Sequence, residues 1–168
     1  MVTSNSANQT SRRVGAMTLT LKSDLEIELT RVFDAPRSLV FEAHSTPEHV
    51  RQWWGRKGST LVVCDMDFRP GGAWRYVMRK ANGKEYAFSG EYLEIVPPER
   101  LVWTFGVEGM TGAGIEVYTF SERDGKTTLT TTSRFDSIEA RDAVIQSGME
   151  IGAAELFDRL EEHLRTMR

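Results

Sequence analysis

The stretch Met149-Glu150-Ile151-Gly152-Ala153-Ala154-Glu155-Leu156-Phe157-Asp158-Arg159-Leu160-Glu161-Glu162-His163-Leu164 decides how the rest of the chain must be arranged. Met149, Ala153, Leu156, Leu160 and Leu164 step by three or four, while Glu150, Glu155, Asp158, Glu161 and Glu162 fall on other faces. This is the apolar stripe of an amphipathic helix. It is the one long helix in sight, and the helical pattern begins as early as Ser137. Everything upstream that needs an apolar cover must find it here.

Working back from that helix, the chain reads as strands. Ile115 to Ser121 and Thr127 to Phe135 are strand-like in composition, as are Leu61 to Phe68, Ala73 to Lys80, Glu85 to Val96 and Leu101 to Val107. Turn-forming segments separate them: Arg69-Pro70-Gly71-Gly72, Ala81-Asn82-Gly83-Lys84, Pro97-Pro98-Glu99-Arg100, Gly109 to Gly114, and Arg123-Asp124-Gly125-Lys126. Connections this short imply a meander of antiparallel hairpins. Leu25 to Phe33 adds a first strand by its period-two alternation. Two short helices follow it, one after Asp34-Ala35-Pro36 and one after Thr46-Pro47-Glu48, each with proline placed at a helix start. The expectation is an α+β domain in which a curved antiparallel sheet of about seven strands wraps around the C-terminal helix.

The opening residues, rich in Ser, Asn and Thr, carry too little apolar surface to offset the entropy of ordering, so residues 1–17 are expected to form a disordered tail and residues 18–168 the domain. A length of 168 residues suits one domain with a sizeable core. The formal charge of −3 leaves no basic footprint for nucleic acid. No apolar run approaches the roughly 20 residues that span a bilayer, and no signal-peptide pattern opens the chain. Cys64 is the single cysteine, which excludes an internal disulfide and a cysteine-based metal site and makes the cytoplasm the expected compartment.

Four ordered motifs resemble a known family: Arg31-Val32-Phe33-Asp34-Ala35-Pro36, Gln52-Trp53-Trp54-Gly55, Arg69-Pro70-Gly71-Gly72, and Gly90-Glu91-Tyr92-Leu93-Glu94-Ile95-Val96-Pro97-Pro98-Glu99-Arg100-Leu101-Val102. Together they are similar to the homologues of the activator of heat-shock protein 90 ATPase, within the START-like (SRPBCC, Bet v-like) helix-grip superfamily that includes polyketide cyclases. The resemblance implies a helix-grip fold with a cavity between sheet and helix. This chain departs from many relatives in having Gly55-Arg56-Lys57-Gly58 where Gly-Pro follows the paired tryptophans, which puts two cations at the expected cavity mouth.

The aromatic share is 10%, with four Trp. Trp74, Tyr76 and Met78 share one strand face, Tyr86 and Phe88 another, and Trp103 and Phe105 a third. With Tyr118 and the helix residues Met149, Ala153 and Phe157 they form the candidate ligand-binding set. Trp53 and Trp54 complete it, although about 100° of helical rotation between neighbours prevents both rings from facing one pocket. Such a stripe is often plain core, but a grip fold leaves room for a guest beside it.

No catalytic dyad is recognisable, and the chemistry-bearing residues have bland explanations. His44, His49 and His163 read as surface residues outside any zinc spacing. Cys64 reads as inert packing among apolar neighbours, and Asp65 and Asp67 as a solvated outer face. Arg31 and Arg75 occupy slots where an inward guanidinium would need an acidic partner. No cofactor or metal is expected. The leading functional expectation is binding of a small hydrophobic molecule or lipid by a monomer or homodimer. Alternatives are a co-chaperone-like module acting on a chaperone ATPase of the heat-shock protein 90 type, and a cyclase or hydrolase using an acid–base residue in the cavity.

Overall fold

The computed structural model describes residues 10–110 and 114–168. The strands are β1 (Thr10–Val14), β2 (Met17–Ser23), β3 (Glu26–Phe33), β4 (Thr60–Met66), β5 (Ala73–Arg79), β6 (Glu85–Val96), β7 (Arg100–Val107), β8 (Gly114–Arg123) and β9 (Lys126–Arg134). The helices are α1 (Arg37–Ala43), α2 (Pro47–Trp53), α3 (Ile138–Gln146) and α4 (Met149–Thr166). The strands make one antiparallel, 9-stranded sheet in the order β1-β2-β3-β9-β8-β7-β6-β5-β4. The sheet is open at β1 and β4. Register shifts at Leu21/Ser23, Leu61/Val63 and Tyr92/Glu94 help it to bend.

The strand count of nine corrects the expected seven or so, and both extra strands come from the amino-terminal segment. Residues 1–9 of the expected tail lie outside the described residues. The rest of that tail is ordered: Gly15, at φ 61, turns the chain so that Thr10 to Val14 pair with Leu21 to Met17. Backbone pairing holds β1 although most of its side chains are exposed, and Arg12 reaches Glu150 of α4 at 2.8 Å. The expected glycine-rich connection at Gly109–Gly114 falls partly outside the described residues.

Alternation sets the sheet's inner face. In β3, Ile27, Leu29, Arg31 and Phe33 are buried, and in β9 so are Thr127, Leu129, Thr131 and Ser133. The helical region after Ser137 is two helices instead of one, because Gly148 adopts φ 78 and breaks the run. Ser137 caps α3 by accepting from the Ala140 N–H at 3.1 Å. Only the second half of α4 closes fully onto the core, through Phe157, Leu160 and Leu164.

Arg31 is inward-facing, 7% exposed, and its Nη1 donates to Asp158 Oδ1 of α4 at 2.6 Å. This pair ties the sheet to the helix. Removing a partner from a fully buried pair costs about 3–5 kcal/mol, but Asp158 is 65% exposed, so water can replace part of its role. Asp158→Asn is expected to lower stability by about 1–2 kcal/mol, read from urea unfolding midpoints.

Candidate functional site

The inner face carries a contiguous array of aromatic rings. Trp74 stacks on Trp103 with ring centroids 4.7 Å apart and planes at 27°. Phe105 lies 5.4 Å from Trp74 and Tyr118 lies 5.3 Å from Trp103. Cross-strand pairing puts Tyr76 opposite Phe88 and Met78 opposite Tyr86, so both strands present these side chains to one side. Trp54 closes the array edge-on, 5.1 Å from Tyr76 and 4.9 Å from Phe88. Trp74, Tyr76 and Trp103 are its buried floor; Phe88, Phe105 and Tyr118 are half-buried.

The other candidate residues occupy different places. Trp53 points away from the array: its Nε1 donates to the Ala43 carbonyl at 2.9 Å and its ring packs on His44, sealing α2 against α1. Tyr86 sits beneath the Lys80 and Lys84 ammonium groups, 5.6 and 5.3 Å from its ring centroid. Phe157 contacts Phe33 at 6.0 Å in the closed half of the helix interface. Met149 and Ala153 are half-buried in the first half of α4. A Cβ on Gly152 would come within 3.0 Å of Arg56 Cδ, so glycine there makes room for the arginine.

Two clefts open among the described residues, and neither is lined by a ring of the array. One of about 260 Å³ is lined by Arg56, Lys57, Gly58, Ser59, Lys80, Ala81 and Asn82. Here Arg56 is neutralised by Glu155 at 2.8 Å, which also accepts from the Lys57 backbone N–H at 3.1 Å. The other, about 160 Å³, lies between Thr10, Arg12, Leu19, Leu21 and Ile145. The expected cations at the mouth therefore line a cleft of their own, next to Met78 and Tyr86.

One inner-face group escaped the sequence reading. Glu116 pairs across strands with Trp103 on one side and Ser133 on the other, both of which face inward. Its Oε1 accepts from Trp103 Nε1 at 3.1 Å and its Oε2 from Ser133 Oγ at 3.0 Å. Burial raises its pKa to about 7, and these two hydrogen bonds only partly oppose the rise. The signal was available, since alternation along Glu116-Val117-Tyr118-Thr119-Phe120 puts the carboxylate on the face of Tyr118 and Phe120.

The histidine expectation is also corrected. His44 is 4% exposed, and its Nδ1–H donates to the Val40 carbonyl at 2.8 Å. Burial among Trp53, Tyr118 and Phe120 lowers its pKa to about 4. His49 and His163 are part-buried and meet at 2.9 Å, joining α2 to α4. Cys64 is buried and its thiol is pushed up to about 11, chiefly by that burial. Arg75 points outward to Glu108 at 2.9 Å. Among the described residues no group of His, Cys, Asp and Glu is arranged to hold a metal ion.

A bent antiparallel sheet closed on one side by a terminal helix, with an aromatic inner face, defines the helix-grip class. Within that class, residues 34–165 match the model of the family described as "Activator of Hsp90 ATPase homolog 1-like protein", and the chain belongs to that family. A protein of Rhodobacter sphaeroides superposes with a TM-score of 0.85 at 23% identity, covering 90% of this chain and 99% of its own. A Mycobacterium smegmatis protein gives a TM-score of 0.78 at 26% identity, with coverage of 95% and 100%. The AHSA1 protein of Silicibacter pomeroyi gives a TM-score of 0.72 at 23% identity, with coverage of 85% and 99%. Among curated proteins no sequence matches. No helix among the described residues is long and apolar enough to cross a membrane.

Proposed function

We propose that the protein binds a small hydrophobic molecule against the aromatic array, between the sheet and the first half of α4. The observation that carries this reading is the uneven closure of the grip. Phe157, Leu160 and Leu164 shut the far half of the helix, whereas Met149 and Ala153 on the near half remain half-buried, as do Phe88, Phe105 and Tyr118 on the sheet. Apolar surface left in this state gains by being covered. Burying about 200 Å² of it is worth about 5 kcal/mol before the cost of association. The rings already touch one another, so a guest enters by parting side chains at the open end.

The four tryptophans supply the test. With 2-ethylnaphthalene as a neutral probe, the indole N–H signals of Trp54, Trp74 and Trp103 are expected to shift in a nitrogen-15 NMR titration. Trp53, outside the array, is the internal control and should stay still. Unmoved array signals, together with a melting temperature unchanged across a library of hydrophobic compounds, overturn the reading.

A further inference from the structure

Glu116 is a carboxylate held on the inner face by Trp103 of the array and by Ser133 of the neighbouring strand, and these partners leave it incompletely answered. The indole N–H of Trp103 and the hydroxyl of Ser133 each donate to a different oxygen, at 3.1 and 3.0 Å. A carboxylate offers about four acceptor positions, so about half of its capacity remains. Both partners are uncharged, and no Lys, Arg or His among the described residues forms an ion pair with Glu116.

A purely structural need does not account for this choice. Glutamine could keep a hydrogen bond with each of Trp103 and Ser133 without taking a charge out of water, which is costly when the charge is unpaired. What a carboxylate adds over an amide is strong attraction for a cation and repulsion of an anion. Those properties act on something that comes to the face. Trp103 and Tyr118, 5.3 Å apart and flanking Glu116 on the inner face, add electron-rich rings that also favour a cation.

We infer that Glu116 makes this site selective for an aromatic molecule carrying a protonated amine, the rings burying the apolar body and the carboxylate receiving the ammonium group. This inference rests on the ligand-binding reading above and sharpens it. Anionic amphiphiles such as acyl carboxylates are rejected by the same charge. The amine donates into the open acceptor positions of Glu116 as a charge-assisted bond, while Trp103 and Ser133 hold the carboxylate in place.

Three probes of matched shape separate the possibilities: 2-(2-naphthyl)ethylamine, 2-ethylnaphthalene and 2-naphthylacetate. They are titrated at pH 8, where the Glu116 carboxyl, ionising at about 7, is mostly charged. Affinities come from the Trp103 indole N–H signal. The amine is expected to bind at least about tenfold tighter than the neutral probe, and the acetate more weakly than either. In Glu116→Gln the ratio of amine to neutral affinity should fall to about one. Equal affinities in the parent, an unchanged ratio in Glu116→Gln, or a preference for the acetate overturns the inference while leaving hydrophobic binding intact. Failure of all three probes to bind removes both.

Discussion

Trp74→Ala is expected to lower the free energy of unfolding by about 3–5 kcal/mol, the range for deleting a large buried aromatic side chain. Trp74 is 1% exposed and lies between Trp103 and Tyr76, each 4.7 Å away, with Phe105 at 5.4 Å. Its Nε1 donates to the half-buried Thr104 carbonyl at 3.2 Å, and the substitution removes that hydrogen bond as well. The backbone has been thinned to seat this ring. A Cβ on Gly90 would lie 2.8 Å from Trp74 Nε1 and 1.9 Å from the Thr104 oxygen.

Alanine at 74 leaves a large hole that neighbouring rings from different strands cannot fill without breaking their own contacts. Because domains are stable by only about 5–15 kcal/mol, the variant will sit near its unfolding threshold. Trp74→Phe keeps an aromatic body and should cost less, about 1–2 kcal/mol, giving a folded comparison. Urea unfolding midpoints followed by circular dichroism measure both. A cost below about 1 kcal/mol for Trp74→Ala would mean that the array is loose and collapses freely.

The fold was legible where one physical signal dominated. Glycine and proline turns marked every hairpin from β4 to β9, and the stripe through Leu156, Leu160 and Leu164 marked the covering helix. Two features were hidden because their determinants are not apolar periodicity. Strand β1 carries Thr, Ser and Arg side chains that face solvent, so backbone pairing to β2 and the Gly15 turn define it. The break at Gly148 was hidden because helical spacing continues on both sides of it, and only the positive φ interrupts the run.

The site was legible as a set of aromatic faces but not as an arrangement. Alternation put Trp74, Tyr76, Phe88, Trp103 and Phe105 on common faces, yet nothing in the adjacent pair Trp53-Trp54 says which ring turns toward the sheet. That depends on how α2 is rotated, which its contacts with α1 and α4 set. Polar groups were harder still. His44 and Glu116 belong to residue types that are usually exposed, so composition argued for the surface while position in the fold decided otherwise.

Glu116→Gln is expected to stabilise the protein by about 3 kcal/mol at pH 8 and by only about 1 kcal/mol at pH 5. In the folded chain the Glu116 carboxyl ionises at about 7, against an ordinary value of 4.5. The native state therefore holds this proton more tightly than the unfolded chain does. The stability so gained is complete below pH 4.5 and is lost as the pH rises through about 7. Glutamine carries no proton to lose, so the loss disappears and the difference between the two proteins grows across that window.

The neighbours acting on the carboxyl do not blur this expectation. Trp103 and Ser133 do not titrate in this range, and the Tyr118 hydroxyl, which feels the Glu116 charge, is pushed well above its ordinary 10 by burial. His44 works on the other flank. Its folded pKa of about 4, against 6.5, means that the stability it contributes is present above pH 6.5 and lost as the pH falls toward 4. The two effects nearly cancel between pH 4.5 and 6.5, so the parent should show a shallow maximum near pH 5–6.5, whereas Glu116→Gln should lose the alkaline decline and keep the acid one. Urea unfolding of both proteins at pH 5, 6, 7 and 8 tests this directly. Parallel curves would mean that Glu116 ionises as freely as in water, and its charge would then be too well solvated to favour a bound ammonium group over a neutral one.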